Sequence, residues 1–164
     1  VMSMAKLTVG KRAPEFRASA TGDETIVLSE LAGKHVVLYF YPKDNTPGCT
    51  REAEAFNLAR SRFKKRNTII LGVSRDNLRS HERFCDKYAL QYPLISDEDE
   101  TLCNLFDVIR QKKMYGKVVR GIERSTFLID REGILRREWR GIKVDGHVDE
   151  VLEAVASLER PNDD

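Results

Sequence analysis

Cysteine is scarce in this chain: there are three in 164 residues, at positions 49, 85 and 103, and no two form a C-x-x-C pair. That pattern excludes an even disulfide framework and a cysteine-ribbon metal site. In a reducing compartment such thiols are either buried filler or chemistry. Long apolar runs are missing too. No stretch approaches the ~18 residues that span a bilayer, and VMSMAKLTVGKRAPEF at the start lacks the charged-then-apolar pattern of a secretion signal. A cytoplasmic address is therefore the expectation. Neither sign of charge dominates: 28 Lys and Arg against 26 Asp and Glu leave +2, which implies no nucleic-acid or membrane partner. The one dense basic run, Arg60 to Arg66, falls at the end of a predicted helix, where cations suit the negative dipole end.

A chain of this length buries about 70% of its unfolded surface, and it contains no repeat, linker or low-complexity segment. One domain over residues 5–160 is expected. Residues 1–4, where Val1 precedes Met2, are set aside as an expression remnant, and 161–164 as a tail. HVVLYFYP (35–42) is a continuous apolar run rich in β-branched and aromatic residues that stops at a proline, the pattern of a strand buried on both faces. From Cys49 onward Ala53, Phe56 and Phe63 share one face of an amphipathic helix reaching roughly to Arg66. TIILGVS (68–74) predicts a second buried strand, and NLRSHERFCDKYA (77–89) a helix with Leu78, Cys85 and Tyr88 on one side. LIS after Pro93 is a short strand candidate, and the acids of SDEDETLCNLFDV (96–108) open a further helix carrying Leu102, Leu105 and Phe106. STFLIDREGILRREW (125–139) predicts two strands joined by a turn at Arg131, Glu132 and Gly133, and HVDEVLEAVASL (147–158) a last helix. A β-α-β start with a hairpin and helix at the end describes an α/β chain: a mixed sheet with helices on both faces, of which the thioredoxin-like fold is the obvious member.

The reactive site of that fold lies where the first long strand hands over to its helix, and Cys49 stands there, after Pro47 and Gly48, which are expected to make a sharp turn. A thiol reacts as thiolate, and unpaired amides and the positive dipole at a helix start, or nearby cations, lower a cysteine pKa to about 3.5–7.5. Thr46, three residues upstream, offers a hydroxyl that both donates and accepts. Spacing alone leaves two readings open, a reactive sulfur or a small apolar residue at the start of a packed helix.

FYPKDNTPGCTREAEAF resembles the peroxidatic-cysteine segment of the peroxiredoxins, with Pro42, Thr46 and Cys49 in the spacing P-x-x-x-T-x-x-C. The surrounding text is similar to the bacterioferritin comigratory protein (PrxQ) subfamily from GKRAPEF through GIERSTFLID to the C-terminal helix. The resemblance implies a thiol-dependent peroxidase. In it the Cys49 thiolate attacks the terminal oxygen of hydrogen peroxide or an organic hydroperoxide and becomes a sulfenic acid. Donors fixed around both oxygens would stabilise the transition state more than the ground state. Arg124 would supply cationic donors, Thr46 and the Cys49 amide would position peroxide, Pro42 would shield the sulfur, and Glu52 would hold the arginine. Each has a plainer reading beside it: Arg124 as a surface cation paired with Glu123 or Glu132, Thr46 as a helix cap, Pro42 as a strand end.

A resolving thiol protects a sulfenic acid from further oxidation. Some relatives of this subfamily carry it five residues after the first cysteine, but here that position is Glu54; Cys85 matches the alternative version, on the following helix. The resemblance thus implies an intramolecular Cys49–Cys85 disulfide. It requires local unwinding, because Cα atoms must come within about 7 Å. The plain alternative for Cys85 is helix packing, which is also what Cys103 is expected to do. His35, His81 and His147 are scattered; His81 and Cys85 stand i, i+4 without a further ligand pair, so no metal is expected. Trp139 is expected to pack on a strand. No cofactor is implied. Electrons would come from thioredoxin, or glutaredoxin, and the subfamily resemblance leans towards a monomer, with a dimer as the alternative. A thioredoxin-type reductase is disfavoured by the missing C-x-x-C and by the absence of proline between Pro93 and Pro161. A peroxide sensor or redox relay needs the same first step and stays open.

Overall fold

The computed structural model describes residues 7–159; the expected remnant at 1–4 and tail at 161–164 lie outside the described residues. Strand β3 (His35–Phe40) is buried along its whole length. Because side chains alternate, Val36, Leu38 and Phe40 enter one core while Val37 and Tyr39, followed by Tyr41, enter another on the opposite face. β3 pairs in parallel with β4 (Thr68–Ser74) and antiparallel with β8 (Ser125–Ile129). The remaining strands of the sheet are β1 (Arg17–Ala20), β2 (Glu24–Val27), β5 (Leu94–Ser96) and β9 (Leu135–Arg140), and the seven run in the order β2-β1-β5-β4-β3-β8-β9. β5 is parallel to β4, whereas β1, β2 and β9 pair antiparallel with their neighbours. This is the mixed sheet of a thioredoxin-like fold.

Helices α1 (Pro47–Lys65), α2 (Leu78–Tyr88) and α4 (His147–Glu159) cover the face of Tyr39, contributing Phe56, Phe63, Phe84 and Val151. The other face is closed by α3 (Thr101–Leu105) with Phe106, and by Phe16 and Leu28. Among the described residues no helix is long and apolar enough to cross a membrane. Trp139 packs on β9 as expected, its indole edge against the His147 ring at 5.7 Å and its N–H donated to Glu150.

Three elements differ from the sequence expectation. The helix foreseen over 96–108 is five residues long, because Glu100 (φ 63°) and Asp107 (φ 53°) take left-handed conformations at its two ends. Its amides at Leu102 and Cys103 are instead capped by the Asp97 carboxylate, at 3.0 and 2.8 Å. The β1–β2 hairpin is four-residue RASA and ETIV, too short and too rich in small residues to read as strand. A second hairpin, β6 (Ile109–Met114) with β7 (Lys117–Ile122), is mostly exposed and lysine-rich. It owes its anchorage to tertiary pairing, with Arg120 forking onto Glu100 by two hydrogen bonds of 2.6 Å.

Candidate active site

The loop after β3 starts from the carboxyl ends of two parallel strands, since Tyr41 still donates its backbone N–H to the Val73 carbonyl at 3.0 Å. In open α/β sheets that edge is where ligands bind. Pro42 is exposed there. Asn45, at φ 60°, supplies the left-handed residue that turns the chain into α1. Pro47 and Gly48, expected to form the turn, are instead the first two residues of the helix, and proline suits that position because its missing N–H is one the first turn would leave unpaired.

Thr46 is the extended N-cap residue, yet its side chain makes no cap hydrogen bond. Its hydroxyl donates to the Lys43 carbonyl at 2.9 Å, which leaves the oxygen's lone pairs as acceptors. Gly48 and Cys49 follow, their amides without intrahelical acceptors. Cys49 is only 1% exposed.

Arg124 immediately precedes β8, and the register that sets Ser125 against Phe40 carries it to the head of α1. Its guanidinium forks: Nη2 donates to Cys49 Sγ at 3.3 Å and Nη1 to Glu52 Oε1 at 2.7 Å. It pairs with neither Glu123 nor Glu132; Glu123 faces Arg110 instead. Glu52 sits one turn after Cys49 on the same face of α1 and is completely buried, with Oε2 lacking any partner. Burial pushes its carboxyl up to about 7 against the pull of Arg124. No pattern in the sequence marked the role of Gly48 here. A Cβ at that position would lie 3.3 Å from Arg124 Nη2, so a bare backbone leaves the guanidinium room to reach the sulfur.

The other thiols are elsewhere, and all three cysteines are free. Cys85 is half-buried on α2 with its sulfur 3.9 Å from Thr21 Oγ1, in a cleft also lined by Glu82, Leu90 and Tyr92. Burial pushes its thiol up to about 11. Cys103 packs fully buried in the opposite core, and burial holds its thiol far above the ordinary value. His81 is not isolated: its Nδ1 meets Asp44 Oδ2 at 2.7 Å, and nitrogen and oxygen atoms of His81, Asp44 and Asp76 gather within 4.8 Å. Sequence inspection missed this cluster because its members come from a loop, a strand end and a helix that no local spacing connects.

The arrangement is a buried sulfur flanked by amide donors and by a cation whose orientation a carboxyl fixes, suited to stabilising negative charge on sulfur and on an attacked oxygen. Comparison with known proteins agrees. The AhpC/TSA family model matches residues 9–138. Peroxiredoxin Bcp of Xanthomonas campestris is 53% identical over 137 residues, covering 84% of this chain and 86% of the relative. That of Bacillus subtilis is 44% identical over 152 residues, covering 93% and 97%. Among solved structures, a cysteine-to-serine mutant of Xylella fastidiosa PrxQ superimposes with a TM-score of 0.89 at 40% identity, over 96% of this chain and all of that one. The Xanthomonas campestris bacterioferritin comigratory protein, studied for alkyl peroxide reduction through trapped intermediate and ligand complexes, gives 0.85 at 48% identity, over 88% and 92%. Such similarity along nearly the whole chain, joined to a cysteine so placed, makes this protein a member of the AhpC/TSA family and, within it, a thiol peroxidase of the peroxiredoxin Bcp/PrxQ kind.

Proposed function

We propose that Cys49 is the peroxidatic nucleophile and Cys85 its resolving partner, in a single domain (5–160) that acts as a cytoplasmic monomer. The observation that carries the first part is the Arg124 fork, one amino group on Cys49 Sγ and the other on Glu52. The Cys49 thiolate attacks the terminal oxygen of the hydroperoxide; the S–O bond forms as the O–O bond breaks, and the leaving oxygen takes a proton and departs as water or alcohol. Arg124 stabilises the charge passing between the oxygens. Lone pairs of the Thr46 hydroxyl and the amide of Cys49 orient the substrate, Pro42 shields the sulfur, and Glu52 acts as a positioning residue for the guanidinium. Hydrogen peroxide and organic hydroperoxides are both substrates in this reading, in line with the alkyl peroxide reduction of the Xanthomonas protein.

Cys85 then attacks the sulfenic sulfur, forming the disulfide and releasing water. Its thiolate is scarce while burial holds it at about 11, so α2 must loosen before it reacts. A dithiol protein, thioredoxin or glutaredoxin, reduces the disulfide and restores both thiols. Mass spectrometry after one equivalent of peroxide tests the assignment. The expected products are an intramolecular Cys49–Cys85 crosslink in the wild type, a Cys49 sulfenate in Cys85→Ser, and no oxidation in Cys49→Ser. A crosslink through Cys103 would overturn the resolver. Steady-state peroxide consumption with thioredoxin and its reductase separates an enzyme in turnover from a sensor oxidised once.

A further inference from the structure

The two sulfurs do not face one another. Cys49 looks onto Arg124, whereas Cys85 opens into a cleft that Cys49 does not line. What joins their two segments is the buried polar cluster around Asp44, which the chemistry above does not use. Asp44 belongs to the loop that leads into Cys49, and its carboxylate reaches onto α2, the helix of Cys85: Oδ2 accepts from Ser80 Oγ at 2.8 Å and from His81 Nδ1 at 2.7 Å. Oδ1 accepts from Tyr41 at 2.6 Å, while the Asp44 amide donates to Asp76 Oδ2 at 2.9 Å. A second tie lies beside the first, where Asn45 Oδ1 accepts from Lys87 Nζ and the Tyr88 hydroxyl, each at 3.3 Å.

The ring of His81 faces two acceptors, the Asp44 carboxylate and, at 2.9 Å from Nε2, the Ile95 carbonyl. The ring thus ties the Asp44 carboxylate of the loop to the backbone of β5. His81 and Asp44 are 0% and 7% exposed. A buried polar pair fixes geometry more than it adds net stability, because each group regains its hydration once water reaches it. Such a pair can hold two elements in one arrangement without making their parting prohibitive.

We propose that the Asp44–His81 pair, with Ser80, is a latch that holds the Cys49 loop against the Cys85 helix and sets the rate at which the two cysteines can join. The latch rests on the assignment of Cys85 as resolver. While it is closed, Cys49 stays under Arg124 and reacts with peroxide. When it opens, α2 loosens, Cys85 thiolate attacks the Cys49 sulfenic sulfur, the S–S bond forms, the S–O bond breaks and the hydroxide leaves as water with a proton. Asp44 and His81 are thus positioning residues for the second step.

The test separates the two steps in Asp44→Asn, which keeps the shape of the side chain and removes its charge, and in the milder Ser80→Ala. Rapid mixing with hydrogen peroxide gives the second-order rate of Cys49 oxidation, and quenched mass spectrometry gives the first-order rate of disulfide formation. Disulfide formation is expected to quicken about tenfold in Asp44→Asn and about threefold in Ser80→Ala, while Cys49 oxidation changes less than about threefold. Amide exchange should quicken in α2 and stay unchanged in β3 and β4. A merely structural lesion would slow both steps and raise exchange everywhere. A normal Cys49–Cys85 crosslink forming at the wild-type rate in both variants overturns the latch alone; a wild-type crosslink to Cys103, or none, overturns the resolver and the latch with it.

Discussion

Arg124 spends its two amino groups on different partners, and the contact with sulfur lies beside a residue that has no side chain. With Gly48 in the first turn of α1, the guanidinium lies where a Cβ would stand 3.3 Å from Nη2. Alanine is the better helix former by about 1 kcal/mol, so Gly48→Ala should leave thermal stability equal or higher. If Cys49 and Arg124 act as proposed, it should nevertheless slow the reaction of Cys49 with peroxide about tenfold, because the cation must shift by a few tenths of an ångström from the geometry assigned to the transition state. Stopped-flow oxidation beside a melting curve checks both halves; unchanged oxidation would show that the fork tolerates the methyl. The presence of Gly48 was plain in the sequence, but its use was not, since proline-glycine pairs ordinarily announce a turn. Here the turn belongs to Asn45.

At the scale of elements, the site rests on how closely β3, β4 and α1 approach. Gly72 in β4 admits the Tyr39 ring and a Leu94 methyl, which a Cβ there would meet at 2.9 and 2.7 Å. Tyr39 stacks on Phe56 of α1 at 4.6 Å, and its hydroxyl pairs with that of Tyr92 at 2.7 Å, which in turn donates to the Ala53 carbonyl. Gly72→Ala should therefore destabilise the protein by about 1–3 kcal/mol through overpacking, as measured by denaturant unfolding, despite the better strand propensity of the new residue. These two strands and α1 were legible as elements because buried strands and amphipathic helices leave strong local periodicities. The hairpins β1–β2 and β6–β7 were not, because short, small-residue or charged strands are held by partners distant in the chain.

Across the whole molecule, two buried titrating groups tilt stability with pH in opposite senses. Burial raises Glu52 to about 7 from 4.5, so the folded state keeps a proton that the unfolded chain releases. Its contribution, on the order of 3 kcal/mol, is full below pH 4.5 and lost as pH rises through 7. His147 is the reverse: burial lowers it to about 4 from 6.5, so its contribution is present above pH 6.5 and lost as pH falls through 4. The two largely offset one another between these limits. Glu52→Gln should expose the histidine, giving stability that climbs from pH 4 to 6.5 and no longer declines towards 7. Unfolding free energies at several pH values decide it; a Glu52→Gln curve as flat as that of the wild type between pH 4.5 and 6.5 would place the raised carboxyl elsewhere.

What the amino-acid order determined by itself was local: the buried strand that stops short of Pro42, the helix that begins near Cys49, and a P-x-x-x-T-x-x-C spacing that sets three residues around one turn. Periodicity and short-range spacing survive in one dimension, since neighbours along the chain stay neighbours in space. Tertiary structure alone decided that Arg124, 75 positions away, reaches the sulfur, that Glu52 is buried without a partner for Oε2, and that Asp44 meets His81 across 37 residues. Those contacts arise because β3 lies between β4 and β8, so the carboxyl edge of the sheet gathers loops from distant parts of the chain, and no local pattern records which of them will meet.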